Sequence, residues 1–212
     1  MNSIAKPALS INGYGQCLKA DAGSITLLRG DVGSGKTLWL ERIAGLLDAP
    51  DGLSIEYNGN DGETKQNIRM LFDRHPAVWL GQTIAEELCF GLPILPSSET
   101  MKQTLDIWKI GELGLDADVQ SLNHLQGIRL AMAGMDLASA SLVLLDNPTD
   151  RLPVASAAEL IGDIRSWIQR SDCVMVVACN RWQDWQDSAA QVWLTADPMQ
   201  MPQTDSEEPT PA

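Results

Sequence analysis

Positive charge is scarce in this sequence: 15 Lys and Arg stand against 28 Asp and Glu, a formal net charge of −13 over 212 residues. That balance argues against bulk electrostatic attraction to nucleic acid or to an anionic lipid surface. Long apolar runs are missing too. The longest, residues 142–145 and 173–179, are far too short to cross a bilayer. Residues 1–9 hold one Lys and no apolar stretch, so a secretory signal is not expected. The four cysteines (17, 89, 173 and 179) form no C-x-x-C pair and no metal-ligand spacing, and they read as reduced, buried small residues. Tyr and Phe number two each against seven Trp, which we take as core and contact filler. The length suits one ordinary α/β domain. With 44% hydrophobic residues the chain can build a core, so general disorder is excluded.

Short apolar runs alternate with amphipathic segments, the pattern of parallel strands joined by helices. The runs predict strands over 25–29, 53–57, 68–72, 141–145, 173–178 and 191–194. The periodic segments predict helices over 36–47, 83–90, 99–110, 122–135 and 155–170. The stretch from about 77 to 136 carries helices and no convincing strand, which predicts a helical subdomain inserted into the α/β core. Residues 197–212 contain four Pro and four acids without Lys or Arg, and predict a disordered acidic tail after a domain spanning 1–196.

One motif dominates. Gly30-Asp31-Val32-Gly33-Ser34-Gly35-Lys36-Thr37 matches G-x-x-x-x-G-K-[ST] in full, between an apolar strand and a helical segment that begins near Leu38. Its glycines let successive backbone N–H groups turn toward phosphate oxygens, and the following helix adds its positive end beneath the same anion. Lys36 is placed to reach the β- and γ-phosphates and the Thr37 hydroxyl to coordinate Mg²⁺. The run Ser141-Leu142-Val143-Leu144-Leu145-Asp146 ends in a carboxylate. Placed beside the first strand, Asp146 would hold the same Mg²⁺ through water.

These residues and their surroundings resemble the ATP-binding subunits of ABC transporters, especially the cobalt and energy-coupling-factor branch. The similarity runs in order over roughly residues 20–195. It includes Trp39 to Gly45, Pro50-Asp51-Gly52, Leu71-Phe72-Asp73 through Thr83-Ile84-Ala85-Glu86-Glu87-Leu88, and Leu144-Leu145-Asp146-Asn147-Pro148-Thr149. The resemblance implies a P-loop NTPase with a RecA-like parallel sheet, an inserted helical subdomain, ATP and Mg²⁺ as cofactors, and head-to-tail dimers. It also implies an integral membrane partner and a place on the cytoplasmic face of the cell membrane.

Several positions depart from the family pattern. Asn147 stands where the family has its catalytic Glu, and an amide cannot accept a proton from water. Asp73 occupies the Q-loop Gln position, and Cys179, within Ala178-Cys179-Asn180, the position of the switch His. The signature L-S-G-G-Q reads Leu122-Asn123-His124-Leu125-Gln126, and the D-loop reads Asp150-Arg151-Leu152-Pro153. Only Tyr14 is available to stack on adenine.

The resemblance therefore implies retained ATP binding with hydrolysis weak or absent, in an ABC-type transport complex with a second ATP-binding subunit, alike or different. The alternative is a soluble pseudo-ATPase whose ATP-dependent dimerisation acts as a switch. A DNA- or ribosome-directed ATPase is disfavoured by the charge and the lack of a basic stripe. Smaller features read two ways. His124 is a phosphate contact across an interface or a surface histidine. Trp182 and Trp185 form a partner-facing patch or pack internally. Met101, Leu105 and Trp108 face membrane subunits or line a core. The remaining histidine, His75, has no assigned part.

Overall fold

The computed structural model describes residues 8–58, 67–73 and 78–205. Two sheets form its frame. An antiparallel sheet pairs β1 (Ala8–Gly13) with both β2 (Gln16–Asp21) and β4 (Leu53–Asn58). The larger sheet runs in the order β5 (Ile68–Leu71), β6 (Leu142–Asp146), β7 (Val174–Ala178), β3 (Ile25–Arg29), β8 (Gln191–Leu194) and β9 (Gln203–Thr204). All its pairings are parallel except that of β8 with β9.

β6 and β7 are buried at every position, because both faces of this sheet are covered. Along β7, Val174, Val176 and Ala178 join one core with Leu28 of β3 and with Trp39, Leu40 and Ile43 of α1 (Lys36–Ile43), beneath the antiparallel sheet. Met175 and Val177 point the other way, into a second core. That core takes in α2 (Ile84–Cys89), α3 (Ser98–Ile107), α4 (His124–Leu137) and α5 (Val154–Ile168). α5 presents Leu160, Ile161, Ile164, Trp167 and Ile168 along one stripe.

The helical block sits on that second core. Thr83 and Glu86 cap α2 reciprocally, and Asn123 and Gln126 do the same for α4. Met101, Leu105 and Trp108 are buried, so they line the core. Trp108 packs edge-on against Trp167 with ring centroids 5.8 Å apart, tying the block to α5. Arg129 of α4 is buried and ion-paired to Glu159 (3.0 Å) and Asp163 (3.1 Å) on α5. Both acids also meet Lys109. Among the described residues 78–136 the only sheet-type pairing is a single bridge between Thr83 and Asp118. Residues 74–77, with His75 and the expected start of the block, lie outside the described residues.

Two expectations need correction. β6 does not lie beside β3: β7 stands between them. Asp146 still reaches the phosphate loop, because β6 ends level with Ala178 of β7 and α1 packs across both strands. The tail expected from residue 197 is structured as far as Asp205. Gln203–Thr204 pairs with β8, Met201 is buried in the first core, and Asp205 forms an ion pair with Arg29 at 3.4 Å. Apolar burial of Met201 and backbone pairing outweigh the prolines and acids of this stretch. Residues 206–212 lie outside the described residues. The hairpin of β1 and β2 and the strand β9 were not predicted. No helix among the described residues is long and apolar enough to cross a membrane.

Deleting residues 197–212 therefore removes a structural brace. Burial of one methionine side chain is worth about 2 kcal/mol. Thermal unfolding of the truncated chain is expected roughly 4–8 °C below the full chain; an unchanged Tm would mean that the segment contributes nothing.

Candidate functional site

β3 enters Gly30–Thr37 and α1 leaves it. Gly33 and Gly35 hold φ of +87° and +89°, a left-handed geometry that costs a glycine nothing and any branched residue strain. Gly35 has a second constraint: a Cβ there would strike Pro198, which lies against the loop. Thr195 donates its hydroxyl to the Ser34 carbonyl at 3.0 Å, and Arg42 of α1 donates to the Pro198 carbonyl. The segment after β8 thus braces the loop from outside.

Lys36 spans the arch, donating to the carbonyls of Gly30 (2.7 Å) and Asp31 (2.9 Å). An ammonium has three donors, so one is left for an anion. Burial lowers its pKa, opposed by Cys179, Asp146, Asp150 and Asp31 nearby. Thr37 donates its hydroxyl to Asp146 Oδ2 at 2.9 Å, while Asp146 Oδ1 is buried with no hydrogen-bond partner. Burial pushes the Asp146 carboxyl up to about 6; the Thr37 bond opposes this and the Asp73 charge adds to it. A hydroxyl and an orphaned carboxylate oxygen side by side at a phosphate loop suit a hard cation. No cluster of three or more His, Cys, Asp or Glu that could hold a metal exists among the described residues. The donor set therefore fits Mg²⁺ arriving with phosphate oxygens and water, held by Thr37 and Asp146.

Beyond Asp146 the chain enters a polar network. Asn147 has φ +50°, a left-handed conformation that Asn tolerates better than most residues. Its N–H donates to the Ala178 carbonyl at 2.7 Å. Its Oδ1 accepts from the Asn180 backbone N–H (3.2 Å), and its Nδ2 donates to Asp73 Oδ2 (3.0 Å). Asp73 Oδ1 accepts from Arg151 at 3.3 Å. Asp150 accepts from Asn180 Nδ2 (2.8 Å) and from the Arg181 N–H (3.3 Å). Arg181 donates to the carbonyls of Thr149 (3.2 Å) and Leu152 (2.7 Å) and pairs with Asp184.

The structure brings together Gly30–Thr37, Asp146, Asn147 and Asp73. It does not bring Cys179 to that surface. Its thiol is fully buried in the second core, and burial pushes it up to about 12, so Asn180 makes the polar contacts instead. Tyr14 sits in the β1–β2 turn, 71% exposed, its hydroxyl donating to the Asp51 carbonyl at 3.2 Å. Val32 and Leu38 are exposed, at the loop's crest and on α1. Trp185 is buried and donates to Thr149 Oγ1 at 3.0 Å, so it packs internally. Trp182 lies under the Arg29 guanidinium, 3.6 Å from its ring centroid. It helps line a cleft of about 440 Å³ with Gly30 to Ser34, Thr195 and Asp205. His124 and Leu125 open α4. Arg151, Asn180 and Arg181 belong to this network, although the sequence reading gave none of them a role and met Arg151 and Asn180 only as neighbours of Asp150 and Cys179. The available signal was a polar stretch just beyond each of two apolar strands.

A strand, a glycine-rich arch and a helix beside a carboxylate-terminated strand define a P-loop nucleotide-binding protein carrying a helical insertion. The ABC transporter family model matches residues 16–150. The chain is 30% identical over 165 residues to the sulfate/thiosulfate import ATP-binding protein CysA of Bradyrhizobium diazoefficiens, covering 72% of this chain and 46% of that protein. It is 29% identical over 153 residues to the energy-coupling factor transporter ATP-binding protein EcfA1 of Thermotoga maritima, covering 69% of this chain and 58% of that one. It thus spans about half the length of the curated relatives it matches. The fold superposes on a metal-chelate type ABC transporter in an inward-facing conformation, with a TM-score of 0.74 at 20% identity over 94% of this chain and 83% of that one. A nucleotide-free ATP-binding cassette gives 0.70 at 15% identity over 94% and 90%. The chain belongs to the ABC transporter ATP-binding domain family, and its fold is the ABC ATPase cassette.

The Asp146 carboxyl sets a pH dependence. Its folded value of about 6 lies above the ordinary 3.8, so the folded state binds the proton more tightly. The stability it contributes is complete below the unfolded value and is lost as pH rises through about 6. In metal-free buffer Asp146→Asn is expected to raise Tm at about pH 8 and to give no gain at about pH 4. An equal gain at both would contradict this origin.

Proposed function

We propose that this chain is the ATP-binding subunit of an ABC-type transport complex, that it binds Mg²⁺–ATP, and that it hydrolyses ATP slowly or not at all. The carrying observation is the Lys36 ammonium across the loop together with the Thr37–Asp146 bond of 2.9 Å at its end. Lys36 and the loop N–H groups hold the phosphates, and α1 adds its N-terminal field. Mg²⁺, when bound, neutralises charge developing on the phosphate oxygens.

Slow turnover follows from three positions. Asn147 is an amide, and loss of a general base costs about 10²–10⁴-fold. Cys179 is buried, so that position offers no titratable group to the phosphates. His124 and Leu125 place bulk at the first turn of α4, the end that in this reading faces the partner subunit's nucleotide.

In this proposal the nucleotide-binding domain, expected over residues 1–196, runs on to Asp205, and about 77–136 form its helical subdomain. A second ATP-binding subunit and an integral membrane subunit complete the complex at the cytoplasmic face of the membrane. The energy-coupling-factor branch remains the branch this proposal favours, on the resemblance of the sequence as a whole. Relatives named for sulfate import are equally similar, so the transported substrate is no part of the proposal. Transport takes precedence over a soluble dimerisation switch because the relatives are named as transporter ATP-binding proteins.

Calorimetric titration with Mg²⁺–ATP tests the reading. Micromolar binding is expected, weakened about 10- to 100-fold in Lys36→Ala, the worth of one hydrogen bond from a charged donor. No binding at millimolar ATP would overturn it.

A further inference from the structure

We propose that the connection from β8 to β9, residues 195–202, sets the affinity of the phosphate loop for its nucleotide from outside the site, with Thr195 and Pro198 as positioning residues and Met201 as the anchor. The proposal rests on the ATP-binding reading above. It gives this stretch a part in binding as well as in holding the fold.

The loop has little of its own to keep it in one curve. Gly30, Gly33 and Gly35 carry no side chain, and two of them sit at positive φ, so the arch gives up much conformational freedom when an anion orders it. A brace that holds the curve in advance removes that cost from binding. The ties within the arch run from the Ser34 N–H to the Asp31 carbonyl at 3.1 Å and from Lys36 to the carbonyls of Gly30 and Asp31. All of them end on its first two residues.

The remainder is held from without. Thr195 donates its backbone N–H to the Arg29 carbonyl at 2.8 Å, just ahead of the loop, and its buried hydroxyl to the Ser34 carbonyl at 3.0 Å. The Thr195 carbonyl lies so close to Gly30 that a Cβ there would strike it. Pro198 closes on Gly35 in the same way, and its own carbonyl is held by Arg42 of α1. The connection is thus fastened at the entry, the middle and the exit of the arch. Its far end is fixed elsewhere: Met201 is buried in the core that holds Trp39 and Trp193, β9 pairs with β8, and the Asp205 N–H donates to the Val192 carbonyl at 3.0 Å.

The side chains of Lys36 and Thr37 bond to Gly30, Asp31 and Asp146, none of them in this connection, so the brace leaves the anion-binding groups alone. Coupling through the arch is reciprocal. A docked connection favours nucleotide, and bound nucleotide favours docking by the same factor.

Calorimetric titration of full-length variants with Mg²⁺–ATP, well below their Tm and paired with thermal unfolding of the same samples, tests this. Thr195→Val nearly keeps the side-chain volume and removes the hydroxyl. It is expected to weaken binding about 5- to 10-fold, the worth of one neutral hydrogen bond, while Thr195→Ser binds within about twofold of the parent. Met201→Ala loosens the anchor and is expected to weaken binding in the same direction, whereas Met201→Leu is not. If Thr195→Val does not fold, the Met201 pair decides on the same readouts. A folded Thr195→Val or Met201→Ala that binds as tightly as the parent, with only its Tm lowered, marks a brace of the fold alone; it overturns the proposal and leaves the binding reading intact. A Thr195→Ser variant no tighter than Thr195→Val overturns it as well. A parent that binds no ATP overturns both.

Discussion

The hydrogen bond from Thr37 to Asp146 joins the two halves of this molecule at the point where its chemistry resides. One partner opens α1 on the phosphate loop; the other closes β6, two strands away from the strand that feeds that loop. The contact forms only if β7 lies between them in register and α1 packs across the sheet. Trp39, Leu40 and Ile43 pack α1 on the core while β6 and β7 are buried throughout. The cost of holding a buried carboxylate without full compensation appears as its raised pKa. A folded chain keeps such a group where a bound cation can relieve it.

Asn147 is the second fixed point. Its left-handed backbone and two-sided amide let one residue meet the loop after β5 and the loop after β7. Arg181 and Asp150 extend the ties into the loop before α5. Loops that carry nothing but solvent contacts open readily, whereas these share donors and acceptors across three strand ends. The result is a site whose polar groups largely satisfy one another while the phosphate loop remains built for an anion.

Much of this was legible in the sequence, for identifiable reasons. The central strands of the larger sheet announce themselves as apolar runs because both faces are buried, and the phosphate loop because only glycine accepts its backbone angles. The hairpin of β1 and β2 was not predicted: Ser10, Asn12 and Lys19 do alternate with buried Leu9, Ile11, Leu18 and Ala20, but only two core positions per strand carry the pattern. Nor was β9, where Met201 and the ladder to β8 override a composition typical of disorder. The positions of Asp73, Asn147 and Cys179 could be read one by one, but their partnership could not. It depends on the strand order, which sequence pattern alone does not fix, and on Cys179 turning inward while Asn180 turns out.

Amide hydrogen exchange with and without Mg²⁺–ATP addresses the central claim, an anion-binding loop set beside a self-satisfied polar network. The account predicts that N–H groups of Gly33 to Thr37 gain protection on addition of nucleotide. Those of Asn147 and Asn180 should be protected already and change little. Unchanged exchange in the loop, or an Asn147–Asn180 network that exchanges freely in the absence of nucleotide, would contradict it.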